Sequence, residues 1–452
     1  AVMGEEKGFY LMDQKPAERF EDAWLLGNGT LGAAVMGGIA CEKICLNADT
    51  LWSGQESMPD KPDFYSCFRK AQTLAMRGAY KEASEIIEEE MEGVWGEVYL
   101  PMADVFLTFG QKDNRRNRAL RNALERGIGD VGCYERILKL REALAGIKYE
   151  TGGVQYRREI FVSHPANVAV CWLEVCGGSM DFALSVDSAL KHMQYAQYDG
   201  NGNVELFLKG IAPDHAEPSY TTVKPALVYR REEDSDALRF AVRIRICETD
   251  GMVWTDGTRI YVNNASHALV LISGKTNYQG YRRKRERSHE PLLEELERCL
   301  TAAQNKGYNR LREEHICDVS QLYDRVDIWL GEGLMEEMPI EERLERNNCL
   351  EDLSLYALVV QYARYLTIAA SRKGSQPMNL QGIWNTVTDP PWACNYTTNI
   401  NVQMNYWCCE TLGLGECHEP LLRMIGELAD SGKKTAEYFY HMSGWVAHHN
   451  VD

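Results

Sequence analysis

The side chains best suited to chemistry are concentrated in residues 379–407, which contain six asparagines, three tryptophans and two tyrosines. Aromatic rings stack on the apolar C–H face of a pyranose, and side-chain amides both donate and accept hydrogen bonds, as sugar hydroxyls do. Few charges are needed because such a ligand is neutral. The composition therefore indicates a sugar site. The structural alternative is a loop whose amides satisfy its own buried backbone.

Two amides in this segment, Asn399 and Asn401, are spaced for joint action. On an extended stretch, residues i and i+2 point to the same side, so these amides could hold one water or sugar hydroxyl. Holding a nucleophilic water in this way would save entropy in a transition state. Gly382 and the Pro390-Pro391 pair predict a long loop. This loop would run into a helix for which Asn401 is the candidate cap and Gly413 the candidate end.

The elements before this segment are predicted to be mostly β-structure, over residues 1–285. Alternating apolar runs such as 238–246 are separated by turn signals such as 199–203, and this spacing favours an antiparallel β-sandwich. Helical interruptions are predicted near residues 66–91 and 115–126. The fold class is therefore multidomain α+β.

The character of the sequence changes after this β-region. Residues 286–335 are predicted to be a helical linker, with helical spacing at 292–300 and 311–323, followed by a strand at 325–330. Helices dominate from 336 to 452, and Leu353–Ala370 is apolar enough for burial among other helices. Roughly four helices fit into this stretch, and their apolar faces need partners. We therefore expect the helical domain to be incomplete.

Composition excludes several classes of function. The 452 residues are enough for two or three domains, and the net charge of -17 offers no basic face for a nucleic acid. No apolar run in the sequence is long enough to predict a membrane-spanning helix. The N-terminus lacks the basic and apolar regions of a signal peptide. The alternative is an export signal that has already been cleaved off. The 14 irregularly spaced cysteines form no CxxC pair, which favours free thiols over a zinc site. Together with the acidic charge they favour a cytoplasmic location.

Several motifs resemble those of glycoside hydrolase family 95, and they occur in order along nearly the whole chain. They are LGNGTLGA at 26–33, LNADTLWSG at 46–54, REIFVSHP at 158–165, NLQGIWN at 379–385, PPW at 390–392, YTTNIN at 396–401, MNYW at 404–407 and VAHHNVD at 446–452. The resemblance implies an N-terminal β-sandwich, a helical linker and an (α/α)6 catalytic barrel, of which residues 336–452 would be the first part. A C-terminal β domain would follow.

The resemblance also implies an activity. Family members release α-linked L-fucose, commonly α1,2-linked, from oligosaccharides with inversion, and some prefer α-L-galactosides. The implied partners are a fucosylated or L-galactosylated oligosaccharide and the remaining C-terminal part of the same protein. The resemblance implies no metal and no organic cofactor. It also implies no nucleic acid or membrane as a partner.

An inverting mechanism requires a general acid and a base that activates water. The resemblance assigns the positioning of that water to Asn399 and Asn401. It places the glutamate acid and the base-side aspartate beyond Asp452. The local carboxylates Asp389, Glu410 and Asp452 show neither a raised pKa nor a path to water in the sequence, so we do not expect them to be catalytic. A non-catalytic glycan-binding fragment is the alternative from another class.

Further candidates for sugar contacts come from the aromatic and polar residues of the motifs. They are Trp384, Trp392, Tyr396, Thr397, Trp407, His448 and His449. The tryptophans could equally be core residues, and Thr397 stands where some fucosidases carry histidine. The glycines of GNGTLG fit a β-turn better than a dinucleotide loop. Asn47, Asp49 and Trp52 could reach the barrel from the sandwich, although we favour a structural role for them.

Overall fold

The computed structural model describes residues 9–55, 64–91, 96–110, 131–200, 202–331, 338–347 and 352–451. Within these ranges the chain forms two large antiparallel sheets followed by helices, which confirms a mixed α+β fold. The first sheet has nine strands and the second has seven.

The strands of the two sheets are β1 (Tyr10–Asp13), β2 (Trp24–Gly27), β3 (Leu31–Val35), β4 (Cys41–Ala48), β5 (Ala103–Phe109), β6 (Gly132–Lys139), β7 (Leu144–Thr151), β8 (Val154–Ser163), β9 (Val168–Cys176), β10 (Met180–Asp187), β11 (His192–Tyr198), β12 (Val204–Ile211), β15 (Arg239–Thr249), β16 (Met252–Thr255), β17 (Ile260–Ala265) and β18 (His267–Thr276). The first sheet has the strand order β1-β6-β7-β8-β9-β18-β15-β12-β11 and the second has the order β16-β17-β10-β5-β4-β3-β2. Two short pairs also form in the described ranges: β13 (His215–Ala216) with β14 (Leu227–Val228), and β19 (Tyr396–Thr397) with β20 (Asn450–Val451).

The helices in the described ranges are α1 (Phe64–Met76), α2 (Tyr80–Ile86), α3 (Glu290–Tyr323), α4 (Ile340–Arg346), α5 (Leu353–Ala370), α6 (Asn401–Thr411) and α7 (Gly415–Tyr440). The first two confirm the helical interruption predicted near residues 66–91. The interruption predicted at 115–126 lies outside the described residues. The stretch at 325–330, predicted as a strand, has no regular structure, so that prediction is wrong.

The inner faces of the two sheets share one apolar core, as alternating apolar and polar side chains require. The outer face of the larger sheet is also apolar, and α3 covers it. Leu300 and Leu311 of α3 pack with Phe161 and Leu271 of the sheet. A sheet covered on both sides needs apolar residues on both faces of its strands, which explains the continuous run Ala268–Ile272 in β18.

Helix α5 has the length and hydropathy of a membrane-crossing helix, yet 61% of it is buried inside the protein. It packs on β2, where the Tyr365 hydroxyl donates to the carbonyl of Leu25. Its N-terminus is capped by Asp352, whose side chain accepts the Leu355 N–H. These contacts are those of a core helix.

A buried arginine on α5 joins three segments of the helical part. The Arg364 guanidinium donates to the carbonyls of Leu322 and Tyr323 at the end of α3, to Val326 and to Leu412 after α6, over 2.8 to 3.1 Å. Carbonyls at the C-terminus of a helix lack intrahelical partners and carry partial negative charge, so a buried cation stabilises both helix ends. Val326 is thereby held in an irregular conformation.

We predict that Arg364→Lys lowers the midpoint of thermal unfolding by several degrees, because an ammonium cannot reach the four carbonyls that the planar guanidinium reaches. Differential scanning calorimetry at one pH would measure it. The exposed Arg346→Lys should leave the midpoint within about a degree. Equal midpoints for the wild type and Arg364→Lys would contradict the structural role of Arg364.

Candidate functional site

The predicted sugar segment begins in a long connection between α5 and α6, residues 371–400, and the β-sandwich holds this connection in place. Asn47 of β4 donates through Nδ2 to the carbonyl of Asn385 over 2.7 Å and accepts the Asn385 N–H through Oδ1 over 3.1 Å. Asn385 Nδ2 donates in turn to the carbonyl of Tyr99 over 2.8 Å. Both asparagines are fully buried. We call the set of hydrogen bonds between the β-sandwich and this connection the sandwich–loop seam.

Four further hydrogen bonds extend the sandwich–loop seam. The Tyr99 hydroxyl donates to the carbonyl of Ile383 over 2.7 Å, and its N–H donates to the carbonyl of Ala393 over 3.0 Å. The indole N–H of Trp384 donates to the carbonyl of Leu26 over 2.7 Å. Asp49 Oδ2 accepts the N–H of Gln376 over 2.7 Å. The N-terminal motifs and the sugar segment are thus the two sides of one interface.

Glycines in the hairpin between β2 and β3 allow this close approach. A Cβ atom on Gly27 would lie 2.4 Å from the carbonyl oxygen of Ala369 at the end of α5. Gly29 has φ +91° and donates its N–H to the same oxygen over 2.8 Å. Asn28 closes the turn by accepting the N–H of Leu31. GNGTLG is therefore a turn, as predicted.

The far end of the connection brings the two predicted asparagines to the surface. Asn399 lies in an exposed turn, and Asn401 is the exposed first residue of α6. Thr398 donates its N–H to the carbonyl of His449 over 2.8 Å, and its hydroxyl reaches the carbonyl of His448 over 2.5 Å. The segment that carries Asn399 is thereby paired, through Thr398, with the backbone of the segment that carries both histidines.

The asparagines differ from the prediction in one respect. Ile400, not Asn401, occupies the position before α6, and no side chain caps this end. The side-chain amide of Asn401 therefore does not cap the first turn of α6. The predicted end of the helix is confirmed, because Gly413 follows α6 with φ +71° and the Leu414 N–H bonds back to Cys409.

The remaining candidate residues separate by burial. Trp384 is 3% exposed and lies in the core, which favours a structural role. Tyr396 is buried against Trp52, and Thr397 is buried with its hydroxyl donating to Asn395 Oδ1 over 2.7 Å. Trp392, Trp407, His448 and His449 lie at the surface.

The neighbouring carboxylates offer no acid–base pair. Glu410 lies on the exposed side of α6 and contacts His418 Nδ1 over 2.8 Å, while Asp389 is exposed in the connection. Asp452 lies outside the described residues. Among the residues that the structure does describe, there is no group of three or more histidine, cysteine or acidic side chains that could hold a metal.

Two aromatic residues outside the sequence motifs lie next to the candidates. The Tyr440 hydroxyl is hydrogen-bonded to Nε2 of His448 over 2.7 Å, and the Tyr220 ring lies 6.3 Å from that of Trp392. Tyr440 is the last residue of α7 and His448 lies in the irregular segment beyond it, so no helical spacing relates the two. No sequence pattern connects Tyr220 to Trp392.

One carboxyl group at the seam has an unusual pKa. Burial raises the pKa of Asp49 to about 7, and this outweighs the Gln376 N–H bond and the charges of Arg423 and Lys275, which lower it. An unfolded aspartate titrates near pH 4, so the folded state binds more protons between about pH 4 and 7. The stability that Asp49 contributes is thus largest below pH 4 and falls as the pH rises through 7.

We predict that Asp49→Asn, which cannot ionise, gains stability relative to the wild type when the pH is raised from 5 to 8. Thermal midpoints of both proteins at the two pH values would measure this. Asp250→Asn is the control: hydrogen bonds from Ser266 lower the pKa of Asp250 to about 2, so its difference from wild type should not change above pH 5. An Asp49→Asn difference that is the same at both pH values would contradict the raised pKa.

Two family models match the chain. Residues 11–281 match the glycosyl hydrolase family 65 N-terminal domain, and residues 307–452 match the glycosyl hydrolase family 95 catalytic domain. The fold is similar to a solved structure described as a kojibiose phosphorylase from the human microbiome. The TM-score is 0.51 at 9% identity, over 95% of this chain and 51% of that one.

Curated relatives agree with the second model. The chain is 30% identical to Alpha-L-fucosidase 2 of Arabidopsis thaliana, over 97% of this chain and 51% of that protein. It is 26% identical to Probable alpha-fucosidase A of Aspergillus niger, over 95% of this chain and 51% of that protein. The chain thus spans about half the length of the curated relatives it matches. The ordered motifs, the catalytic-domain match over residues 307–452 and these relatives all point to glycoside hydrolase family 95 as the family to which this chain is similar.

Proposed function

We propose that the protein containing this chain is an exo-acting glycoside hydrolase that releases α1,2-linked L-fucose from oligosaccharides with inversion. The observation that carries the proposal is the pair Asn399 and Asn401, which are both exposed to solvent and follow Thr398, whose N–H bonds to the His449 carbonyl. The names of the relatives in Arabidopsis and Aspergillus support the same sugar.

In the proposed reaction the two amides hold the attacking water. An amide donates and accepts at once, so two amides can fix both the position and the lone-pair direction of one water. A base then removes its proton while an acid protonates the leaving oxygen on the other face of the sugar. We place both carboxylates in the part of the protein outside these 452 residues, because the chain spans about half the length of its curated relatives.

We further propose that α5, α6 and α7 belong to an (α/α)6 barrel whose other helices lie in that same remaining part. Each of the three helices has large apolar side chains at the surface of the described structure, namely Tyr356 and Val359 of α5, Met404 and Trp407 of α6, and Leu422 and Ile425 of α7. Exposed apolar faces of this kind usually mark an interface. The barrel would cover them.

An α-L-galactosidase of the same family is a second candidate, because Thr397 stands where some fucosidases carry histidine. The two sugars differ by one hydroxyl on C6, and an apolar pocket rejects an added hydroxyl only weakly. Values of kcat/KM on matched α-L-fucosides and α-L-galactosides decide between them. Hydrolysis of neither would contradict both, and binding without hydrolysis would support a glycan-binding role instead.

We predict that the intact protein releases β-L-fucose first from α1,2-fucosylated lactose. Inversion converts the α-linkage into the β-anomer before the anomers equilibrate in water. Proton NMR during the first minutes of the reaction distinguishes the two anomers. Early release of α-L-fucose would contradict an inverting mechanism.

We predict that Asn399→Ala and Asn401→Ala each lower kcat by roughly 100-fold with a smaller change in KM, because the water is misplaced rather than the sugar lost. Steady-state kinetics on the same substrate would measure both constants. Asn305→Ala, on the exposed side of α3, is the matched control and should keep wild-type values. Wild-type kcat in both site variants would contradict the role of these amides.

A further inference from the structure

We propose that Tyr220 of the sandwich and Trp392 of the connection together bind the sugar that leaves with the glycosidic oxygen, a hexopyranose such as galactose. This inference rests on the proposed function and adds a specificity determinant contributed by the β-sandwich. We call the side chains of Tyr220 and Trp392 the aromatic platform.

The aromatic platform is exposed, although its parts come from distant segments. Trp392 is 64% exposed and Tyr220 is 53% exposed, and their ring centroids lie 6.3 Å apart at an interplanar angle of 55°. Tyr220 lies between β13 and β14, and Trp392 lies in the connection that the seam anchors. Large apolar rings that meet at the surface mark a binding site more often than a single exposed ring does.

The backbone at Trp392 is held in an unfavourable conformation. Trp392, Ala393 and Cys394 have φ values of 55°, 57° and 50°, a left-handed run without a glycine. Non-glycine residues adopt this region only where their surroundings impose it, and such residues cluster at functional sites. Here the Tyr99 N–H holds the carbonyl of Ala393 over 3.0 Å. The result is an indole directed away from the core.

The turn that carries Tyr220 is braced by a chain of polar contacts. The Thr221 hydroxyl donates to Glu217 Oε2 over 3.1 Å, and Glu217 Oε1 lies 3.2 Å from His215 Nε2. His215 Nδ1 lies 2.9 Å from Glu97 Oε1. The turn that carries Tyr220 is therefore ordered before any ligand binds, which reduces the entropy lost on binding.

The ring geometry determines how a sugar would bind. Carbon atoms in contact lie about 3.5–4.0 Å apart, so a sugar between two parallel rings needs roughly 7–8 Å. The two rings of the platform are only 6.3 Å apart and are tilted by 55°, so a sugar would not fit between them. It would lie across their exposed faces. In galactopyranose the axial hydroxyl on C4 leaves the hydrogens of C3, C4 and C5 as one apolar patch on the other face. This patch can stack on Trp392 while its edge contacts Tyr220.

The platform is linked to the proposed water site through a short path. The carbonyl of Trp392 accepts the Asn395 N–H over 3.2 Å, and Asn395 Oδ1 accepts the Thr397 hydroxyl over 2.7 Å, two residues before Asn399. An exo-acting enzyme binds the terminal sugar at the reacting centre and the next sugar beside it. The aromatic platform has the chemistry for that second sugar, and Trp392 lies on the same hydrogen-bonded segment as the proposed water site.

Saturation-transfer-difference NMR with lactose on the intact protein tests binding without any hydrolysis. We expect a lactose signal with the wild type, a loss of most of that signal in Tyr220→Ala and Trp392→Ala, and retention in Tyr220→Phe, which keeps the ring. Tyr198→Ala, an exposed tyrosine of β11, is the control and should keep the signal. Equal signals in all proteins, or none in the wild type, would overturn the inference.

Kinetics with two leaving groups gives a second test. Tyr220→Ala should lower kcat/KM roughly tenfold for α1,2-fucosylated lactose and leave it unchanged for α-L-fucosyl fluoride, which has no leaving-group sugar. An equal loss on both substrates would overturn the inference. If the wild type cleaves neither substrate, the proposed function fails, while the lactose signal still decides whether the platform binds a sugar.

Discussion

The buried amide pair of Asn47 and Asn385 is the interaction on which the candidate site depends. An unpaired polar group in a protein interior loses its water without compensation, at about 1–3 kcal/mol. Residues 371–400 contain almost no regular structure, so their backbone groups need partners from elsewhere. The sandwich supplies them through Asn47, Asp49 and Tyr99. A loop of this length can then hold side chains in fixed positions.

This arrangement gives a physical reason for motifs that lie far apart in the chain. Asn28 closes the turn that lets α5 approach, and His164 and Arg372 both contact Asp318 of α3. None of these residues needs to touch a substrate. They fix the position of the helices relative to the sandwich. The positions of the exposed asparagines depend on that arrangement.

Local patterns were sufficient to predict much of the fold. Alternating apolar residues predicted the strands, and helical spacing predicted α3 and α5, because these signals depend on neighbours in sequence. The stretch at 325–330 was misjudged because its conformation depends on distant partners. The carbonyl of Val326 accepts from Gln361 and Arg364, and no local pattern contains that information.

The site was predictable only in part for the same reason. The resemblance proposes Asn399 and Asn401 as site residues, but the sequence could not separate the buried Trp384 from the exposed Trp392. Trp384 is buried because its indole meets the Leu26 carbonyl, 358 residues away in sequence. Trp392 is exposed because its backbone is held in a left-handed turn. The contribution of Tyr220 arises only where the sandwich meets this turn.

Amide hydrogen exchange followed by mass spectrometry tests the dependence on the seam most directly. The Asn47→Ala variant removes both hydrogen bonds to Asn385 and should leave the strands of the sandwich folded. We expect faster exchange in peptides covering residues 376–401, with wild-type protection in β12 and β15. Unchanged exchange in residues 376–401 would contradict the claim that the sandwich holds the site in place.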